Sequence, residues 1–83
     1  MRITVRYFAS LREALGPGQT LELRETTTVG GLRDQLIASS ATHAGALGRE
    51  RALRVAVNQT LADEAQVIDD HAEVAFFPPV TGG

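Results

Sequence analysis

The sequence contains no cysteine, no lysine and no tryptophan among its 83 residues. The absence of cysteine excludes disulfide bonds, thiolate metal sites and a thiol nucleophile. Any sulfur or acyl group that this protein carries must therefore be attached somewhere other than a side-chain thiol.

The absence of lysine means that all eight basic residues are arginine. An activated carboxylate on this chain would meet no side-chain amine of its own. Two explanations are open: protection from self-conjugation, or a genome composition that favours Arg and Ala, which is the simpler one.

Positive charge and long apolar runs are also scarce. The net charge is −2, and no basic cluster suited to neutralising phosphates is present, so nucleic acid is not an expected partner. No apolar run has the length of a signal peptide core or of a membrane span. We therefore expect one small domain, located in the cytosol and not associated with a membrane.

Hydrophobic periodicity predicts an α+β fold. Residues 2–8 alternate as a half-buried strand, 9–15 form a short helix and 19–24 form a second strand, antiparallel to the first. Thr28 caps a main helix whose apolar positions share one face. Strands follow at 53–57 and 73–77. Residues 39–52 are the least clear part of the sequence, where a short helix around 44–47, ended by Gly48, is the candidate element. The order predicts one main helix packed across a mixed sheet, with short accessory helices.

The carboxyl-terminal segment is the most distinctive part of the sequence. A strand-like run ending in Phe77 leads into Pro78-Pro79, and the sequence then closes on Gly82-Gly83. Glycine leaves a terminal carboxylate open to attack and lets a narrow backbone enter a channel. We expect a domain over residues 1–77 and a flexible tail over 78–83, which when extended reaches at most about 20 Å.

Several segments together resemble the small, sulfur-carrying subunits of molybdopterin synthases, which belong to the ubiquitin-like β-grasp family. They are Phe8-Ala9-Ser10-Leu11-Arg12-Glu13, then 28–36, then Val57-Asn58-Gln59, and the block from Glu73 to Gly83. The resemblance spans nearly the whole chain, fades between about residues 39 and 52, and is most specific in the final block. It implies a β-grasp fold.

The resemblance also implies a chemistry for the terminus. The Gly83 carboxylate, presented by Gly82, would be adenylated by a separate activating enzyme that uses ATP, because a free carboxylate is a poor electrophile. A sulfur donor protein would then convert it to a thiocarboxylate. In the family this sulfur passes to cyclic pyranopterin monophosphate and forms the molybdopterin dithiolene. The chain alone would bind no cofactor and catalyse nothing.

A docking surface is expected beside the tail. Alternation places Phe8 and Phe77 on the opposite face of their strands from the apolar core residues, and exposed aromatic rings often mark a partner site. Alternatively, these rings are covered by neighbouring loops. The resemblance places the large subunit, in a heterotetramer of two small and two large subunits, against the following residues: Phe8, Arg12, Leu61, Phe77, Pro78, Pro79, Val80 and Thr81.

Other polar residues are weak candidates for a site. His43 and His71 lie in predicted loops without neighbours at ligand spacing, so metal binding is not expected. Asp69-Asp70 is typical of a solvated turn. Relatives often have glycine in the turn before the last strand, where this sequence has His71-Ala72, which calls a positive φ there into question.

Two other functions remain open at this point. The chain could carry sulfur for another pathway, such as the thiazole of thiamine or an amino acid. The thiazole carriers that it resembles are shorter and lack the segment at 39–52. It could also be a ubiquitin-like modifier whose Gly83 ends as an amide on a target lysine, since the activation chemistry is shared.

Overall fold

The computed structural model describes residues 1–79, and within them seven strands and three helices form. In chain order they are β1 (Arg2–Tyr7), α1 (Ser10–Leu15), β2 (Gly18–Glu22), β3 (Thr27–Thr28), α2 (Val29–Ser39), α3 (Ala41–Leu47), β4 (Arg54–Val57), β5 (Thr60–Ala62), β6 (Val67–Ile68) and β7 (Glu73–Phe77).

The strands form a five-stranded mixed sheet in the order β2-β1-β7-β4-β5, with β3 and β6 as a separate two-stranded sheet. The first and last strands, β1 and β7, pair in parallel at the centre, and every other pairing is antiparallel. Alternation in β1 buries Ile3, Val5 and Tyr7 completely or nearly so. This arrangement, with α2 packed across one face, is the expected β-grasp fold.

Helix α2 begins where the sequence predicts. Thr28 has extended backbone angles, and its hydroxyl oxygen accepts a hydrogen bond from the Gly31 amide at 3.1 Å, as an N-cap does. The residues of α2 that face the sheet are Val29, Leu32 and Leu36, all buried. Their spacing of three and four residues is the signature of an amphipathic helix.

Residues 39–52, the least clear part of the sequence, contain α3 and a loop. Ser40 is the single extended residue between α2 and α3; it ends the first helix, and its hydroxyl accepts from the His43 amide at the start of the second. Ala46 and Leu47 are buried. Helix α3 therefore completes the core rather than extending from it.

The buried side chain of Arg33 holds this segment in place. Its guanidinium donates to the carbonyl oxygens of Leu47 and Gly48, each at 2.7 Å, and of Arg51 at 3.0 Å. It also forms an ion pair with Glu64 at 2.9 Å. Only 6% of the Arg33 side chain is exposed. A buried charge with this many partners satisfies carbonyl groups that would otherwise lack donors where α3 ends.

We expect Arg33→Ala to lower the free energy of unfolding by about 3–5 kcal/mol, because it leaves buried carbonyl oxygens and Glu64 without their donor. Arg33→Lys should recover part of this loss, since an ammonium cannot reach all four acceptors together. Urea unfolding measures both. Arg51→Ala is the control, because that exposed side chain donates one bond, to the Gly45 carbonyl. An equal loss in Arg33→Ala and Arg51→Ala would contradict the assigned role.

Glu64 makes part of the stability dependent on pH. A hydrogen bond from Arg49 lowers its pKa below the ordinary value of 4.5, and the charge of Arg33 acts in the same direction. A carboxyl group whose pKa is lowered by folding stabilises the protein above its unfolded pKa and loses that effect as pH falls. The stabilisation should thus be complete above about pH 4.5 and decrease below it.

The stability difference between the wild type and Glu64→Gln should therefore be largest at neutral pH and shrink as pH falls below about 4.5. Urea unfolding at a series of pH values measures it. Glu13→Gln, which removes an exposed carboxylate from α1, controls for net charge. A difference that stays constant down to pH 3 would refute the role given to Glu64.

Candidate functional site

The outer face of the five-stranded sheet, turned away from α2, carries two rows of residues across the strands. In the first row, Arg6 lies opposite Ala75, Ala75 opposite Ala56, and Ala56 opposite Leu61. The second row contains Phe77 opposite Arg54, with Phe8 one residue beyond the end of β1. We call these seven residues the outer-face patch.

The outer-face patch has small side chains at its centre and large apolar side chains at its edges. Ala75 and Ala56 contribute only methyl groups at its centre. Leu61 is 62% exposed and Phe8 39% exposed, whereas Phe77 is half-buried. Exposed apolar side chains around small residues leave a shallow surface that a partner could fill. The structure thus brings together three of the predicted docking residues.

Arg12, the fourth predicted docking residue outside the tail, lies on α1 directly beyond Phe8. Its backbone amide donates to the Phe8 carbonyl at 3.4 Å, and the residue is exposed. The carboxyl end of β1 and the first turn of α1 are therefore adjacent, so Arg12 belongs to the border of the outer-face patch.

Two further arginines of the patch were not singled out from the sequence. The Arg6 guanidinium lies 5.7 Å from the centre of the Phe8 ring, and one of its nitrogens lies 3.7 Å from a Glu73 oxygen. Arg54 is exposed and lies opposite Phe77. The alternation of side chains along β1 and β4 could have identified them, because it places both arginines on the outer face of the sheet. Glu73 offsets the charge of Arg6, whereas Arg54 adds positive charge at the border of the patch.

The predicted tail follows Phe77 of the outer-face patch directly in the sequence. Strand β7 ends at Phe77, and Pro78 and Pro79 follow it, both half-buried. A proline fixes φ near −65°, so the two residues restrict the backbone directly after the strand. Val80, Thr81, Gly82 and Gly83, which the sequence assigns to the tail, lie outside the described residues.

A cavity of about 290 Å³ opens beside Leu61, between α2 and the β4–β5 hairpin. Val29, Val55 and Phe76 contribute apolar surface, and Arg33 and Glu64 lie on its wall. Those two charged groups are paired with each other. They serve the fold, and Arg54 and Asp63 also line the cavity.

The two histidines occupy structural positions. His43 lies in α3, so the prediction that it lies in a loop is wrong. Its Nε2 is 3.1 Å from Gln19 Oε1, which also accepts a hydrogen bond from the Tyr7 hydroxyl at 3.2 Å. Burial raises the pKa of Tyr7 to about 12, so this hydroxyl stays protonated at neutral pH. His71 lies in the turn before β7, where it adopts a φ of 66° without glycine.

Acidic and imidazole groups do not assemble into a metal site in residues 1–79. Asp70 Oδ1 accepts a hydrogen bond from the Arg2 amide at 2.8 Å, which lowers the pKa of this carboxyl group. This is the turn chemistry expected for Asp69-Asp70. None of the helices among the described residues has the length and apolar content needed to span a bilayer.

Comparison with known proteins connects these features to a family. The model of the ThiS family matches residues 5–83. A protein of Escherichia coli strain K12 named molybdopterin synthase sulfur carrier subunit is 44% identical over 81 residues. The alignment covers 98% of this chain and 99% of that protein.

Solved structures share the fold. The crystal structure of the small archaeal modifier protein 1 of Haloferax volcanii is 25% identical with a TM-score of 0.75, covering 95% of this chain and 98% of that one. Subunits 1 and 2 of the molybdopterin-converting factor of Helicobacter pylori 26695 form a protein–protein complex. The chain of that complex structure which matches this protein is 21% identical to it, with a TM-score of 0.68, and the match covers all of both chains. With a family model that spans nearly its whole length, this chain belongs to the ThiS family.

Proposed function

We propose that this protein is the sulfur-carrier subunit of a molybdopterin synthase. The observation that carries the proposal is the 44% identity over 98% of the chain to a protein of that name. The outer-face patch supports it, because it places an apolar docking surface next to the segment that leads to Gly83.

The proposed chemistry takes place at the Gly83 carboxylate. A carboxylate oxygen attacks the α-phosphorus of ATP on an activating enzyme, pyrophosphate leaves, and the product is an acyl adenylate. Hydrosulfide supplied by a donor protein then attacks the acyl carbon, the acyl–phosphate bond breaks, and AMP leaves together with the proton of the hydrosulfide. The resulting thiocarboxylate is the sulfur donor. ATP is a substrate of the activating enzyme and not a cofactor of this chain.

The proposed acceptor is cyclic pyranopterin monophosphate, bound by the large subunit. One carrier delivers one sulfur atom, so a dithiolene needs two deliveries. The described residues of this chain would bind the large subunit and orient the tail. The catalytic groups would belong to the partner.

The large subunit is the proposed partner of the outer-face patch, in an assembly of two small and two large subunits. The patch offers apolar area from Phe8, Leu61 and Phe77 and positive charge from Arg54, whereas the charge of Arg6 is offset by Glu73. A complementary surface would be apolar at its centre with carboxylates at its border. A cytosolic location remains a prediction from the sequence.

A ubiquitin-like modifier is the second candidate, since the fold is shared with a small archaeal modifier protein. Both functions begin with an adenylate at Gly83. They differ in the next nucleophile, which is sulfur for a carrier and a lysine amine for a modifier. The fate of the activated terminus therefore separates them.

We expect the intact mass of the chain to increase by the difference between sulfur and oxygen after incubation with its activating enzyme, ATP and a sulfur donor. Fragmentation should place the change on Gly83. Deletion of Gly83 is the matched control and should remove sulfur delivery to the pterin while leaving affinity for the large subunit largely intact. An unchanged wild-type mass, with the enzyme active on another carrier, would refute the carrier function, and an amide-linked adduct would favour the modifier.

We expect Leu61→Asp to weaken binding to the large subunit by about tenfold or more, because it places a carboxylate in an apolar contact. Thr20→Asp is the matched control, since Thr20 is exposed on the same face but on β2, at the opposite edge of the sheet. Isothermal titration calorimetry measures both affinities. Equal affinities for the two variants would exclude Leu61 from the interface.

A further inference from the structure

The exposed ring of Phe8 lies beside a cation from its own strand. The Phe8 amide donates to the Phe76 carbonyl at 3.2 Å, which extends the β1–β7 ladder by one residue. Alternation therefore places the side chains of Arg6 and Phe8 on the same face. The guanidinium carbon of Arg6 lies over the Phe8 ring, 5.7 Å from its centre, within the range of a cation–π interaction.

Glu73 pairs with the same guanidinium group. One of its carboxylate oxygens lies 3.7 Å from an Arg6 nitrogen, and both side chains remain partly exposed. The Glu73 backbone is fixed by Asn58, because the Glu73 amide donates to Asn58 Oδ1 at 3.0 Å and the Asn58 amide donates to the Glu73 carbonyl at 2.8 Å. An arginine with a paired charge loses its water at an interface at a lower cost than an unpaired one.

We propose that Arg6 is a positioning residue, which holds the Phe8 ring in the orientation that the large subunit binds. This inference rests on the proposed function. An aromatic side chain that protrudes at the end of a strand loses rotational freedom when a partner covers it, and this loss is smaller if the ring is already held. The cation–π interaction also becomes stronger when the partner excludes water. Arg6 thus acts through Phe8, and its charge is not what the partner reads.

A double-mutant cycle in the full chain tests this role, with affinity for the large subunit measured by isothermal titration calorimetry. Arg6→Gln removes the cation and keeps a polar side chain, and it should weaken binding about threefold or more. Arg6→Lys should recover part of this loss, since an ammonium group also binds over a ring face.

The second arm of the cycle removes the ring. Phe8→Leu keeps an apolar side chain at this position. In the Phe8→Leu background, Arg6→Gln should change the affinity by less than about twofold, because the group that Arg6 holds is absent. The same loss from Arg6→Gln in both backgrounds would overturn the positioning role, since the arginine would then act independently of the ring.

Glu73→Gln distinguishes positioning from a direct charge contact while leaving the ring in place. If the charge of Arg6 attracted the partner, removal of the carboxylate that offsets it would strengthen binding. A positioning residue instead loses the group that orients it, so Glu73→Gln should weaken binding about twofold. Unchanged or tighter binding would contradict the proposal.

Arg2→Gln is the matched control for the loss of a positive charge. Arg2 lies on the same face of β1 as Arg6 and pairs with Glu22 at 2.6 Å, but at the opposite end of the strand from Phe8. It should leave the affinity unchanged, whereas both glutamine variants should lower the melting temperature by similar small amounts, because both ion pairs are exposed. Equal losses of affinity in Arg2→Gln and Arg6→Gln would also overturn the positioning role. Failure of the wild type to bind the large subunit would instead overturn the proposed function on which it depends.

Discussion

The parallel ladder between β1 and β7 joins the first and last strands at the middle of the sheet, and both the core and the candidate site depend on it. Tyr7 lies opposite Phe76 on the inner face, where both rings are buried, and their centres are 6.4 Å apart. The same register places Arg6 beside Ala75 on the outer face. Because side chains alternate along a strand, a shift of one residue would exchange the core residues and the outer-face patch. Burial of the two rings therefore also determines which side chains lie on the outer face.

Much of this architecture follows from local patterns in the sequence. Alternation in β1 and β7 identified which residues face the core, and the Thr28 cap located the start of α2. The same alternation predicted that Phe8 and Phe77 face outward, and Phe8 is exposed whereas Phe77 is only half-buried. Periodicity is informative for these elements because each has one apolar face that must be buried.

Other elements were not predictable from periodicity, each for a physical reason. Strands β3 and β6 contain two residues each, too few to show alternation. Val67 and Ile68 are neighbours on β6, and neighbouring strand residues point to opposite faces, so Ile68 is buried whereas Val67 is 51% exposed. Arg33 lies four residues after Val29, on the buried face of α2. A charged residue on the buried face of a helix indicates that it has buried hydrogen-bond partners. The carbonyl groups that Arg33 contacts could not be identified, however, because they lie far from it in the sequence.

The central position of β7 has a consequence for synthesis of the protein. While the ribosome is still translating the segment before Glu73, β1 has only β2 as a partner in the sheet, and β4 lacks the strand that connects it to β1. Non-local pairing of this kind delays folding until the late strand is available. A chain that terminates early would thus expose its apolar residues to chaperones and proteases.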